Sequence, residues 1–180
     1  MCIRDRVQDV DGNGVITTDD RIIYSQRPDV TFGFNNTFNY KGFDLSVFLY
    51  ARLGQWIAYD YNTTYRINAL ENGGNVDYWT PENPTNAFPR PNKSKSYTQV
   101  TYYSTLKYED GSFFKIRDIT LGYTFKPELL KHLNLSKLRV YATAKNFFTF
   151  SKIDNYDPEQ GGSISFPMTK QLVFGLNVEF

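Results

Sequence analysis

The strictest constraint on this sequence is a two-residue alternation at its end. Leu172, Phe174, Leu176, Val178 and Phe180 are apolar and share one parity. Gln171, Gly175, Asn177 and Glu179 share the other, with Val173 the exception. A helix would scatter both sets around its circumference, whereas a strand sends successive side chains to opposite faces and keeps them apart. The pattern predicts a β-strand with one greasy side and one wet side.

The same grammar recurs upstream. Phe32, Phe34, Phe38 and Tyr40 share a parity opposite Gly33, Asn35, Thr37 and Asn39, and Lys41-Gly42 reads as a tight turn. After it Phe43, Leu45, Val47, Leu49, Ala51 and Leu53 alternate with Asp44, Ser46, Tyr50 and Arg52. This predicts a two-stranded hairpin long enough to cross a bilayer at a tilt. A third strand is expected over residues 112–125, with Phe113, Ile119, Leu121, Tyr123 and Phe125 on one face and Asp118, Thr120, Gly122 and Thr124 on the other. In that reading Arg117 falls on the apolar face, near the strand's start, where a long side chain snorkels. A fourth is expected over 137–148, with Leu138, Val140, Ala142 and Ala144 opposite Arg139, Tyr141, Thr143 and Lys145. Between them, residues 127–135 are expected to form one or two helical turns opened by Pro127.

Short and long connections alternate along these five strands. Residues 41–42 and 126–136 are short; 52–111 and 151–169 are long. Outer-membrane barrels alternate short periplasmic turns with long external loops in this way. Tyr and Phe supply 14 and 15 residues, a load that suits strands and membrane-interface girdles. No apolar run is long enough for a membrane helix, but a barrel needs none, because only alternate residues meet lipid. The fold class predicted is therefore all-β: about five C-terminal strands of a large antiparallel transmembrane β-barrel with long external loops. Five strands cannot close a barrel, so the sheet needs neighbours. A soluble β-sandwich also alternates and is the competing architecture.

The remaining composition excludes more than it specifies. A net charge of +1 offers no global field for nucleic acid. Cys2, the single cysteine, permits no internal disulfide. No secretory signal peptide opens the sequence, and residues 1–6 read as a non-native leader. His132, the one histidine, reads as a solvated residue, and carboxylate pairs such as Glu109-Asp110 as solvated loop groups. No nucleophile-base pair, phosphate loop or zinc spacing is recognisable, so no enzyme is expected.

The sharpest chemical motif runs from Asp9 to Asp20 and matches the calcium-loop template D-x-[DN]-x-[DN]-G. Asp9, Asp11 and Asn13 take positions 1, 3 and 5, Gly14 the sharp turn, the Val15 carbonyl position 7 and Asp20 position 12. Calcium needs six or more hard oxygens, and this spacing wraps them around one point. Residues 7–30 are thus expected to be an external loop pinned by Ca²⁺, with residues 31–180 the barrel part. The competing reading is a polar Asp-Gly turn without metal. Aromatics crowd the long connections, and Trp56, Trp79, Tyr102 and Tyr103 are the candidates for ligand contact, against a default role in packing the loops.

Several separated segments together resemble the C-terminal end of the SusC/RagA-type TonB-linked outer-membrane transporters. They are residues 9–16 with Asp20-Arg21, 32–34, 40–46, 78–84, 88–91, 110–125, 138–141, 145–150, 156–159 and 174–180. The resemblance implies a barrel of about 22 strands around a plug. It also implies TonB-driven import of oligosaccharides or peptides, a SusD-like surface lipoprotein as lid, outer-membrane lipid around the wall and a periplasmic C-terminus at Phe180. The plug and the TonB-engaging segment would lie upstream. Two other readings remain open: a siderophore or vitamin receptor with the same barrel, and a soluble calcium-stabilised carbohydrate-binding β module.

Overall fold

The computed structural model describes residues 9–63, 74–85, 87–93, 106–131, 134–166 and 168–180. Five long strands form one antiparallel sheet: β1 (Val30–Tyr40), β2 (Phe43–Leu53), β5 (Phe113–Thr124), β6 (Lys137–Ser151) and β7 (Gln171–Glu179), in the order β1-β2-β5-β6-β7. A second ladder pairs β3 (Trp56–Ala58) with β4 (Tyr108–Asp110) beyond the ends of β2 and β5. The alternation did not announce that short hairpin.

The β1–β2 hairpin is set by its turn. Lys41 and Gly42 both have positive φ, 48° and 88°, the conformation whose twist matches the flanking strands. A Cβ on Gly42 would meet the Thr124 carbonyl oxygen at 2.8 Å, so only glycine fits. From there the register runs unbroken from Tyr40↔Phe43 to Val30↔Leu53.

The pairing sorts side chains onto two faces. One carries Phe32, Phe34, Phe38, Leu45, Val47, Leu49, Ile119, Leu121, Val140, Ala142, Leu172, Phe174, Leu176 and Val178 in adjacent rows. Among the described residues nothing covers it: Phe38 is 60% exposed, Phe174 74% and Leu176 61%. Asn36, opposite Val47, is its polar exception. Aromatic rows border it at both ends. Phe43 and Tyr123 lie 4.6 Å apart beside Tyr40 at one end, and Phe114 and Phe150 lie 6.1 Å apart at the other. An 11-residue strand such as β1 tilted at about 45° rises roughly 26 Å, the height of a membrane barrel's apolar band.

The other face is polar and internally paired. Arg139 donates from Nε to Asp44 Oδ1 at 2.9 Å and makes a second bond to Oδ2 from Nη2. The Thr120 and Thr143 hydroxyls meet at 2.9 Å, and Lys145 lies 3.8 Å from Asp118. Gly122 makes room for the Arg139–Asp44 pair, since a Cβ there would lie 2.5 Å from both side chains.

One expectation about faces is overturned. Between Ile116 and Asp118 the strand carries an extra residue relative to β2, so Leu49 faces Ile116 while Phe48 faces Asp118. This bulge inverts the parity of the first part of β5. Phe113, expected on the apolar face with Ile119 and Leu121, pairs instead with Arg52 on the polar face and is buried. Arg117, expected to snorkel from the apolar face, reaches Glu159 at 3.2 Å on the polar side. Phe114 and Ile116 take the apolar face in their place.

Candidate functional site

The long connections all leave the same end of the sheet, where residues 9–29, the β3–β4 ladder and residues 152–170 gather. The short turn 41–42, the helical turn Pro127–Leu130 and Phe180 lie at the opposite end. A small core forms at the long-loop end, with Ile57, Tyr59 and Ile153 buried and Tyr61 and Tyr156 packed against them. Burial pushes the Tyr59 hydroxyl up to about 12, which keeps it neutral.

Three acids of the calcium-type loop converge here. One carboxylate oxygen from each of Asp9, Asp11 and Asp20 lies within 4.8 Å of the others. Gly12 and Gly14, both at positive φ, donate their backbone N–H groups to the two oxygens of Asp9 at 2.7 Å. Asn13 donates backbone and side-chain N–H groups to Asp11, and the Val15 N–H donates to Asn13 Oδ1. Asp20 accepts from the N–H groups of Val10 and Thr17, each at 2.7 Å. The Thr17 bond closes a capping box on the 3-10 turn Thr18–Asp20. The N–H groups of Thr17 and then Val10 hold the Asp20 carboxyl below the usual range. Each carboxylate oxygen keeps a further lone pair after accepting one N–H. The donor set therefore suits a hard cation, while the same bonds explain how the loop keeps its shape.

A second cluster was not singled out from the sequence. Lys115 is 0% exposed, and its ammonium donates to Asp157 at 2.6 Å and Glu159 at 2.8 Å. Asp157 also caps the 3-10 turn Pro158–Gln160 by accepting the Glu159 N–H. The connection between β6 and β7 is thereby bolted to the polar face of β5. The signal available in the sequence was the pair of acids at i and i+2 around a proline. Its target was hidden because Lys115 shares the parity of Phe113 and Arg117, and only the bulge turns that part of the strand to the polar face. Glu109 and Asp110 are likewise not simply solvated. Glu109 accepts from Asn62, and Asp110 lies on β4, accepting from the Ser112 N–H and the Lys152 ammonium. The Ser112 hydroxyl, then Lys152, hold the Asp110 carboxyl down at about 2.

No protein-family model matches the chain. Curated proteins do, among them the TonB-dependent receptor P3 of Formosa agariphila, 31% identical over 96% of this chain, and the TonB-dependent receptor SusC of Bacteroides thetaiotaomicron, 31% identical over 96%. A solved structure of the RagAB peptide importer in its closed-closed state superimposes with a TM-score of 0.73, at 27% identity over 96% of this chain. The chain belongs with the SusC/RagA-type TonB-dependent receptors. It spans 18% of the P3 receptor, 17% of SusC and 20% of the RagAB chain. The five-stranded sheet resembles part of the RagAB barrel, and only part of a barrel is present. A siderophore or vitamin receptor and a soluble module are not favoured.

Of the four aromatic candidates, Trp56 and Trp79 lie among the described residues. Trp56 lies on β3 with its ring stacked on Tyr24, centroids 4.0 Å apart, and its backbone N–H donating to the Ser25 carbonyl. Trp79 is half-buried, and its backbone N–H donates to the Phe88 carbonyl. Tyr102, Tyr103 and His132, like residues 1–6, lie outside the described residues.

Proposed function

We propose that this chain forms part of the barrel wall of an outer-membrane TonB-dependent importer of oligosaccharides or peptides. The carrying observation is the two-faced sheet, whose uncovered apolar side is bordered by aromatic rows and whose polar side is paired within itself. In water so large a greasy surface is a liability; in a bilayer it is the solvent contact. The likeness to SusC and to a peptide importer supports the substrate classes. It also supports coupling through TonB by a segment outside this chain, and a SusD-like lipoprotein over the mouth at the long-loop end. The turn 41–42 and Phe180 then face the periplasm.

The test uses the full reading frame. Its disruption should abolish growth on the cognate glycan or peptide, and the tagged receptor should co-purify with a surface lipoprotein. Normal growth on every oligomer tried, with the protein recovered in the soluble fraction, would overturn the reading.

In the same proposal the loop from Asp9 to Asp20 holds Ca²⁺, with Asp9, Asp11, Asn13, the Val15 carbonyl and Asp20 as ligands. Three carboxylates so close repel one another, and a divalent cation relieves that. Calorimetric titration of the chelator-treated receptor should show a site that Asp11→Ala weakens. Identical heats for both proteins would remove calcium from the account.

A further inference from the structure

At the long-loop end of the polar face, Arg52 is held in place but not neutralised. Its Nε–H donates to the Tyr50 hydroxyl at 2.8 Å, and its guanidinium lies 5.5 Å from the Tyr50 ring centroid and 6.0 Å from that of Phe113. Phe113 is buried, so one wall of this slot is fixed. Arg117, turned to this face by the bulge, sits over the same Tyr50 ring at 5.4 Å. Two of the acids nearby are already engaged: Asp157 and Glu159 hold Lys115, and Glu159 also takes Arg117. Asp29 is a third acid at this end, its carboxylate lying beside Gly54, yet among the described residues no acid forms an ion pair with Arg52.

The geometry is that of a receptor for a planar anion. The Nε bond to the Tyr50 hydroxyl and the neighbouring Tyr50 and Phe113 rings restrain the guanidinium, so less freedom remains to lose on binding. The four Nη hydrogens stay free to meet two oxygens side by side, the strong bidentate mode. The Tyr50 hydroxyl, an acceptor toward Arg52, keeps its own proton to donate.

We propose that Arg52, with Tyr50, binds a carboxylate of the imported solute at the mouth of the channel and so biases the receptor toward acidic oligomers. This rests on the importer reading, which makes the polar face the channel side. The carboxylate belongs to a peptide or to an acidic sugar, and the two arms of the test separate these sources.

The full-length receptor, wild type and Arg52→Gln, is titrated with a peptide bearing a free C-terminal carboxylate and with its amide, then with a uronate oligomer and its neutral counterpart. In the arm that carries the true ligand, Arg52→Gln should weaken the acidic compound about tenfold and leave the neutral one unchanged. Arg52→Lys, which keeps the charge but not the fork, should recover part of the loss. Equal weakening of acidic and neutral partners would mean that Arg52 only supports the wall, and no weakening in either arm would mean that it binds no solute carboxylate; both overturn the proposal. Failure of the wild type to bind any of the four, with no uptake in cells, would instead bring down the importer reading and this proposal with it.

Discussion

Lys115 shows how one side chain ties a loop to a wall. Its charge is withdrawn from water completely and matched by Asp157 and Glu159. Breaking a buried pair strands the remaining charges, whereas replacing the whole set with apolar groups is often neutral. Lys115→Met should therefore destabilise the receptor by about 3–5 kcal/mol in chemical unfolding and expose residues 152–170 to protease. The triple change Lys115→Met, Asp157→Leu, Glu159→Met should recover most of that loss. Equal damage from both variants would show that packing, not charge, holds the loop. Asp110 gives a pH signature at the same scale. Its folded carboxyl ionises at about 2, below the ordinary 3.8. A depressed carboxylate contributes stability that is present above its unfolded value and lost as pH falls through the folded one. Wild-type stability should thus fall between pH 4 and 2 by an increment that Asp110→Asn lacks, read as the difference between the two pH profiles.

Two elements depend on local backbone features more than on hydrophobic pattern. The β1–β2 turn needs φ near 88° at Gly42 and no side chain against the Thr124 carbonyl. Gly42→Ala should cost at least about 1–2 kcal/mol, the left-handed penalty for an L-residue, whereas Lys41→Asn should be tolerated because asparagine adopts that conformation readily. Unfolding of the two refolded variants separates the cases. The bulge at Arg117 is the second element. It divides β5 into halves of opposite parity, and it delivers Phe113, Lys115 and Arg117 together to the polar face. Deleting Arg117 should remove the extra residue and leave an unbroken β2–β5 ladder, with Ile116 still opposite Leu49, Asp118 opposite Phe48 and Lys115 still on the polar face. Heat-modifiability of the receptor on gels, the mark of an intact barrel, should then be retained.

Across the whole sheet, the question is which solvent the apolar face meets. Val47 lies at the centre of β2 on that face. An arginine at the midplane of a lipid-facing barrel surface costs about 2–4 kcal/mol, falling toward zero at the interfaces; on a water-facing surface such a change stays within about 0.5 kcal/mol. Val47→Arg in the receptor refolded into lipid vesicles should show the larger value, and Thr37→Arg on the opposite face a small one. The outer strands β1 and β7 each pair on one side only among the described residues. Unpaired backbone groups in hydrocarbon cost several kcal/mol each, so a stable wall requires further strands against both.

What the sequence determined by itself was the strands and their faces in β1, β2, β6 and β7, because alternation is a local property and burial on one side enforces it without reference to any partner. The turn at Lys41-Gly42 was legible for the same reason, and the spacing of Asp9, Asp11 and Asp20 was enough to foresee that they would meet. Tertiary structure alone decided the rest. A bulge is defined only against neighbouring strands; its mark in the spacing, Arg117 on the apolar parity, reads equally as a snorkelling side chain, and so the true side of Phe113 stayed hidden. The partnership of Lys115 with Asp157 and Glu159, and the unneutralised charge on Arg52, depend on residues more than forty positions apart being carried to one end of the sheet, and that is settled by pairing register, not by the order of residues along the chain.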